Sequence, residues 1–255
     1  MSASPDRAAA TRKRSWRGLL LPAAFVFAVL LALGTWQVER KSSKEQLIAT
    51  LSDRLALPPM PLPPARAWPS LNPATDEYRR VAFTATFDHS KEALVYGAAS
   101  AFRPDVSGSG YWVFTPARLA DGSVVIVNRG FVSEVRKEEA SRAAGQIAGP
   151  VALVGALRWP DIRHWFSPAD DPARNLWFTR DPKAIAAAKG LPDIPAFYVE
   201  QESPIPPGGI PQPGKLLVKL SNNHLQYAVT WYGLSLVLLA VFSAYVFKSR
   251  RDAAH

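Results

Sequence analysis

The sequence predicts a membrane protein in which two transmembrane α-helices flank a mainly β (α+β) extracytoplasmic domain. Three observations carry this. Two long runs without a charged residue lie near the ends, basic residues cluster outside both of them, and the stretch between them alternates apolar and polar residues in the manner of strands.

The first run, Gly18 to Val38, has 21 uncharged residues. At about 1.5 Å per residue it spans roughly the 30 Å of a bilayer's hydrocarbon core. The second, Ala228 to Phe247, has 20. Both are apolar around the whole circumference, as helices facing lipid must be. A cleaved signal peptide is the competing reading of the first run, with Ala32-Leu33-Gly34 as small residues at a cleavage site. Its apolar core exceeds the usual length of about 7–15 residues, however, and Trp36 suits an interfacial anchor.

Orientation follows from the flanks. Arg7, Arg12, Lys13, Arg14 and Arg17 precede the first span against Asp6 alone, and Lys248, Arg250 and Arg251 follow the second against Asp252. Basic flanks stay cytoplasmic, which puts both tails (1–17 and 248–255) in the cytoplasm and residues 39–227 outside it. The basic start is short for a mitochondrial transit peptide. A bacterial inner membrane is therefore expected, with the mitochondrial inner membrane as the alternative.

The formal charge of +9 is mostly this topology signal. The first 17 residues carry +4, the last eight +2, and the middle +3. Nucleic-acid binding is not expected. There is no cysteine, which excludes disulfides, iron–sulfur clusters, thiolate copper sites and covalent haem attachment. With only Met1 and Met60, a thioether copper site has little to build on either.

Between the spans, Glu39 to Leu55 continues as helix, with Leu47, Ile48, Leu51 and Leu55 on one face. Proline-rich linkers are expected at 58–69 and 204–214. Strands are expected at Tyr78–Phe87, where Val81, Phe83, Ala85 and Phe87 alternate with smaller or polar residues, and at Glu92–Tyr96, Gly110–Leu119, Ser123–Val132, Val151–Trp159 and Ala196–Glu202. Asp121-Gly122 marks a hairpin between the third and fourth of these. Asp181–Lys189 reads as a helix with Pro182 in its first turn and Gly190 at its end. Residues 133–144 form a second short helix or a loop.

No enzyme is expected. Asp88-His89-Ser90 holds the residue types of a hydrolase triad, but neighbours on an extended chain point to opposite sides, so these read as turn formers. His164 is read as a surface histidine and Asp170-Asp171 as a solvated loop pair. Arg129 has two readings, partner of an anionic ligand or half of a structural salt bridge. The membrane boundary offers more. His224, Tyr227, Ala228 and Trp231 share one face of a helix starting near Asn223, at the depth of Trp36 and Gln37. An aromatic belt alone accounts for Trp36, Tyr227 and Trp231. His224 is either hydrated at the headgroups or a ligand, and neutral imidazole is a common haem ligand.

Several short motifs, taken in order, make this sequence resemble the Surfeit locus protein 1 family, assembly factors of the haem–copper cytochrome c oxidase, in its bacterial type. Leu33-Gly34-Thr35-Trp36-Gln37 closes the first span and Asn223-His224-Leu225-Gln226-Tyr227-Ala228-Val229-Thr230-Trp231-Tyr232 opens the second. Between them lie Glu77-Tyr78-Arg79, Phe87-Asp88, Val127-Asn128-Arg129-Gly130, and Asn175-Leu176-Trp177-Phe178 followed by Asp181. Ser133 and Arg80 stand where the family often has proline. The resemblance implies a chaperone that binds haem a transiently and aids its insertion into oxidase subunit I, with haem a synthase as a further partner and membrane lipid around the spans. It implies His224 as axial ligand of the haem iron, with Trp36, Gln37, Tyr227 and Trp231 around it. Arg40, Lys41, Lys215 and Lys219 are within the range of residues that could meet the propionates. A cofactor-free scaffold for immature subunit I is the alternative.

Overall fold

The computed structural model describes residues 16–98, 103–163, 165–191, 193–218 and 222–254. His164, Lys219 and the basic residues before Trp16 thus lie outside the described residues. The chain divides into two compact units, one made of its two ends (1–47 with 221–255) and one of its middle (48–220). In chain order the helices are α1 (Trp16–Ala56), α2 (Pro73–Asp76), α3 (Pro182–Ala188) and α4 (His224–Ala254). The strands are β1 (Met60–Pro61), β2 (Arg80–Phe87), β3 (Ala93–Ala98), β4 (Ser109–Leu119), β5 (Val124–Ser133), β6 (Pro150–Arg158), β7 (Leu176–Trp177) and β8 (Tyr198–Ser203).

The end unit holds the two spans. Both α1 and α4 are long and apolar enough to cross a membrane, and only 6 % of the apolar window of each is buried within the molecule. That exposure separates them from the core helix of a soluble fold, whose apolar face would be covered. Past the span α1 continues unbroken, as its periodicity predicts. Its last turns, from Ile48, belong to the middle unit, where Leu51 and Leu55 are buried with Tyr78, Ala156 and Leu216; Leu47, before them, is exposed.

The middle unit is a closed sheet. Its strand order is β1-β2-β6-β8-β5-β4-β3-β7, and β2 also pairs with β4, completing a circuit of β2, β6, β8, β5 and β4. The long strand β4 makes closure possible. Its later half pairs with β2 (Phe87↔Ala117) and its earlier half with β3 (Ala93↔Phe114). A 3₁₀ turn at His89–Lys91 steps the chain from one to the other. The β4–β5 hairpin turns where Asp-Gly predicts it. Gly122 has φ +84°, and Asp121 Oδ1 accepts from Ser123 N at 2.9 Å.

Both faces of the sheet are covered. Val81, Ala85, Val125, Val127, Leu153, Leu157 and Val199 form one core. Trp112, Phe114, Ile126 and Tyr198 form the other with Ile185 and Ala186 of α3. β5 is consequently buried from Val124 to Val132 without alternation. α3 starts and stops as its sequence directs. Asp181 Oδ1 accepts from Lys183 N and Ala184 N at 2.9 and 3.2 Å, and Gly190 takes φ +61°. Residues 134–145 are neither one helix nor a free loop but two 3₁₀ segments, Glu134–Arg136 and Glu139–Gly145.

The two proline-rich stretches differ from the expected linkers, because both are built into the domain. In the first, β1 pairs in parallel with β2. Trp68 is buried edge-on to Phe197 at 5.8 Å, with its Nε1 donating to Pro63 O at 2.8 Å. In the second, Gln212 exchanges backbone hydrogen bonds with Phe131 at 3.0 and 2.8 Å. Proline lowers the entropy lost on ordering such segments, so stiffness here serves packing.

Two predictions follow from this core. Trp68→Ala should lower stability by about 3–5 kcal/mol, as truncation of a core aromatic does, a loss that a mere spacer residue would not show. Urea unfolding of the full chain in detergent, followed by circular dichroism, measures it. The second concerns Arg103, which is wholly buried over the Trp112 ring and donates twice to Asp105 at 2.8 Å. These hydrogen bonds outweigh burial and hold the Asp105 carboxyl below its ordinary value of 3.8. Its contribution to stability is therefore complete above pH 3.8 and lost as pH falls through the lower folded value. The stability gap between the native protein and Asp105→Asn should be full at neutral pH and close in acid.

Candidate functional site

Within the end unit the two spans touch along a stripe of small and hydroxyl-bearing residues. A Cβ added to Gly34 would sit 2.7 Å from the Tyr232 ring, so the ring packs on bare backbone. Thr35 Oγ1 donates to Leu31 O at 3.0 Å, and Tyr232 Oη donates to Thr35 Oγ1 at 3.2 Å. Ser235 Oγ donates to Tyr232 O at 2.7 Å. Ala228 and Ser235 are buried. Close approach through small residues, with each hydroxyl satisfied, is how helices associate in lipid.

That stripe carries two of the predicted residues into contact. One turn beyond Gly34 lies Gln37, and one turn before Ala228 lies His224, the first residue of α4. His224 Nδ1 lies 2.7 Å from Gln37 Oε1. Because a carbonyl oxygen only accepts, Nδ1 carries the proton, and the lone pair of the neutral ring is left on Nε2. Among the described residues Nε2 has no hydrogen-bond partner. A second carbonyl-type group holding the far nitrogen is the usual arrangement behind a histidine that ligates a metal.

The aromatic candidates are placed differently. Trp36 and Tyr227 are exposed and Trp231 is half-buried. None of the three hydrogen-bonds to the His224–Gln37 pair among the described residues. The Arg40 guanidinium lies 6.0 Å over the Trp36 ring, and Lys41 is engaged by Glu45 at 2.7 Å. Lys215 is exposed in the middle unit. Sequence reasoning placed His224 with Tyr227, Ala228 and Trp231; the contact stripe keeps His224 and Ala228 and continues through Tyr232 and Ser235. The pointer it passed over was the glycine in the first span.

The middle unit's motifs turn out to hold the fold. Asn128 Nδ2 donates to Glu200 Oε2 at 2.9 Å, tying β5 to β8. Gly130 has φ +121°, and a Cβ there would lie 2.1 Å from Gln212 O. Arg129 takes the structural one of its two readings. It is buried over Phe87, donates to Gln146 Oε1 at 2.9 Å and to Gly145 O, and lies 3.6 Å from Glu92. Burial pushes its pKa down to about 10. Asn175 takes the left-handed conformation at φ 54° and donates to Glu92 O at 2.9 Å. Glu77 pairs with Arg158 at 3.2 Å.

Asp88-His89-Ser90 has no triad geometry. Ser90 Oγ donates to Asp88 Oδ1 at 2.6 Å. His89 donates through Nε2 to Ile147 O at 2.9 Å and accepts at Nδ1 from Arg129 at 3.2 Å. Asp170 does more than sit in solvent. It accepts from Phe178 N at 2.7 Å and from Arg163 and Thr179, pinning its loop. No group of three or more His, Cys, Asp or Glu able to hold a metal ion occurs among the described residues.

Comparison with known proteins accords with these features. The sequence model described as the SURF1 family matches residues 24–236, from within the first span to within the second. A SURF1-like protein of Monosiga brevicollis is 38 % identical over 252 residues, covering 95 % of this chain and 92 % of that protein. Surfeit locus protein 1 of Rattus norvegicus is 39 % identical over 82 % of this chain and 70 % of its own. The Homo sapiens protein of the same name is 38 % identical over 86 % and 73 %. With a match that runs from span to span and relatives this similar over most of their length, the chain belongs to the SURF1 family.

Proposed function

We propose that this protein is a non-enzymatic assembly factor for cytochrome c oxidase, binding haem a at the outer ends of its two spans and aiding its insertion into subunit I. The observation that carries the reading is the 2.7 Å hydrogen bond from His224 Nδ1 to Gln37 Oε1. It fixes the tautomer and orients the ring, so that Nε2 is the nitrogen offered to iron. Haem a, when bound, supplies an iron that takes a nitrogen ligand, a flat apolar ring and an isoprenoid tail. The exposed Trp36 and Tyr227 provide surface for such a ring, and lipid around the spans suits such a tail. Family membership supports the oxidase as client, and haem a synthase is the further partner of this reading. The basic flanks support both tails lying on the cytoplasmic side with the β domain on the other, in the inner membrane of a bacterium on this reading.

A second reading, a scaffold that steadies immature subunit I without cofactor, draws on one observation. Ile162, Trp165 and Phe166 stand exposed on one short loop, Trp165 at 95 %. Contiguous exposed apolar side chains mark interaction sites more often than not. Copurification of subunit I from cells unable to make haem a would favour it.

Protein purified from cells that make haem a should show a haem absorbance band, and His224→Leu should abolish it while leaving the fold intact by circular dichroism. Retention of both haem and oxidase maturation in that variant would sink the ligand assignment. Gln37→Leu should weaken haem binding by about 10–100-fold, as loss of a ligand's supporting partner does. Gly34→Leu should act on packing instead. With no room beside Tyr232 it should cost about 1–3 kcal/mol of stability, read as a lower unfolding temperature in detergent.

A further inference from the structure

In the middle unit several cations share one buried carboxylate at the back of a polar cleft. Glu92, just before β3, is 7 % exposed, and Arg142 in the segment 139–145 is 3 % exposed. Arg142 Nη1 donates to Glu92 Oε2 at 2.9 Å and its Nη2 to Oε1. Arg129, 2 % exposed, reaches the same carboxylate at 3.6 Å. Two guanidiniums against one carboxylate leave a net positive charge inside the fold. Lys189, at the end of α3 and half-buried, adds another. Burial draws its pKa down and the Glu92 charge draws it back up. Buried charge without a counter-charge is costly, and a fold tolerates it where an anion completes the set.

Two further observations point the same way. Arg142 Nε and Gln146 Nε2 are buried donors without an acceptor among the described residues. Arg142 also lines a polar cleft of about 330 Å³, with Lys137, Arg174 and Lys189 as the other cations and Glu92, Glu138 and Glu139 as the acids. His89 has both ring nitrogens engaged, one with Ile147 O at 2.9 Å and the other with Arg129 Nη1 at 3.2 Å. The acidic groups at the rim, Glu138 and Glu139, are exposed, as is Arg174, which pairs with Asp171 at 3.6 Å, so solvent screens these rim charges far more than it screens the buried cations.

We propose that this cleft binds an oxyanion of the phosphate type, gripped by Lys189 and Lys137 at its mouth and drawn in by the positive Arg129–Glu92–Arg142 cluster behind. The site lies wholly within the middle unit and does not rest on the haem reading. The anion is either free in solution or the headgroup of an anionic lipid, and both present the same oxygens to these donors.

Titration of the detergent-solubilised full chain with inorganic phosphate, followed by calorimetry at constant ionic strength, tests the proposal. Saturable binding of one phosphate per chain is expected, with Lys137→Gln/Lys189→Gln binding about tenfold more weakly. Lys183→Gln, on the exposed side of the same helix, should bind as the native protein does. Repeating the titration in nanodiscs containing phosphatidylglycerol separates the sources. Loss of phosphate binding there, restored in phosphatidylcholine nanodiscs, identifies the headgroup, and unchanged binding identifies the free anion. Heat no greater than that of a chloride control, or equal affinity in the double variant, would overturn the proposal.

Discussion

Gly34 has no Cβ, and the closeness that this permits between α1 and α4 is what the membrane unit depends on. The Tyr232 ring lies where any other side chain would begin. In lipid there is no hydrophobic force to draw two apolar helices together, so contact must come from close packing and from hydrogen bonds that have nowhere else to go. The Tyr232–Thr35 bond is of that kind. With the helices held at this point, the next turn outward brings His224 onto Gln37. A bulkier residue at position 34 would disturb that pair without touching either member of it.

In the middle unit the corresponding constraint is charge. Closing the sheet through β4 buries β5 on both faces, and β5 carries Asn128 and Arg129 into the interior with it. Each needs a partner brought from far along the chain. Asn128 finds Glu200 of β8, and Arg129 finds Glu92, His89 and the backbone of Gly145. Such pairs add little net stability compared with apolar replacements, but losing one member strands the other. Around Glu92 this leaves two buried guanidiniums against one carboxylate.

The two ends of the molecule were legible in the sequence for a simple reason. A membrane demands about twenty consecutive apolar residues, and that demand is local in the chain. The Asp-Gly hairpin and the capped helix α3 were legible on the same ground, since turn and cap chemistry are written in adjacent residues. Arg129 could be narrowed only to a ligand contact or a salt bridge. The proline-rich stretches were misjudged, because Trp68 and Gln212 acquire their places from partners over eighty residues away.

For the candidate site, the sequence by itself determined which residues flank the two apolar runs: a histidine, a glutamine and three aromatics. Helical periodicity ranks them by face along one helix, but it holds no information about the rotation of one helix against another. That rotation was decided by the tertiary contact of Gly34 with Tyr232. It turned Gln37 onto His224 and left Trp36 and Tyr227 exposed, so a list of candidates became a hydrogen-bonded imidazole with one nitrogen to offer.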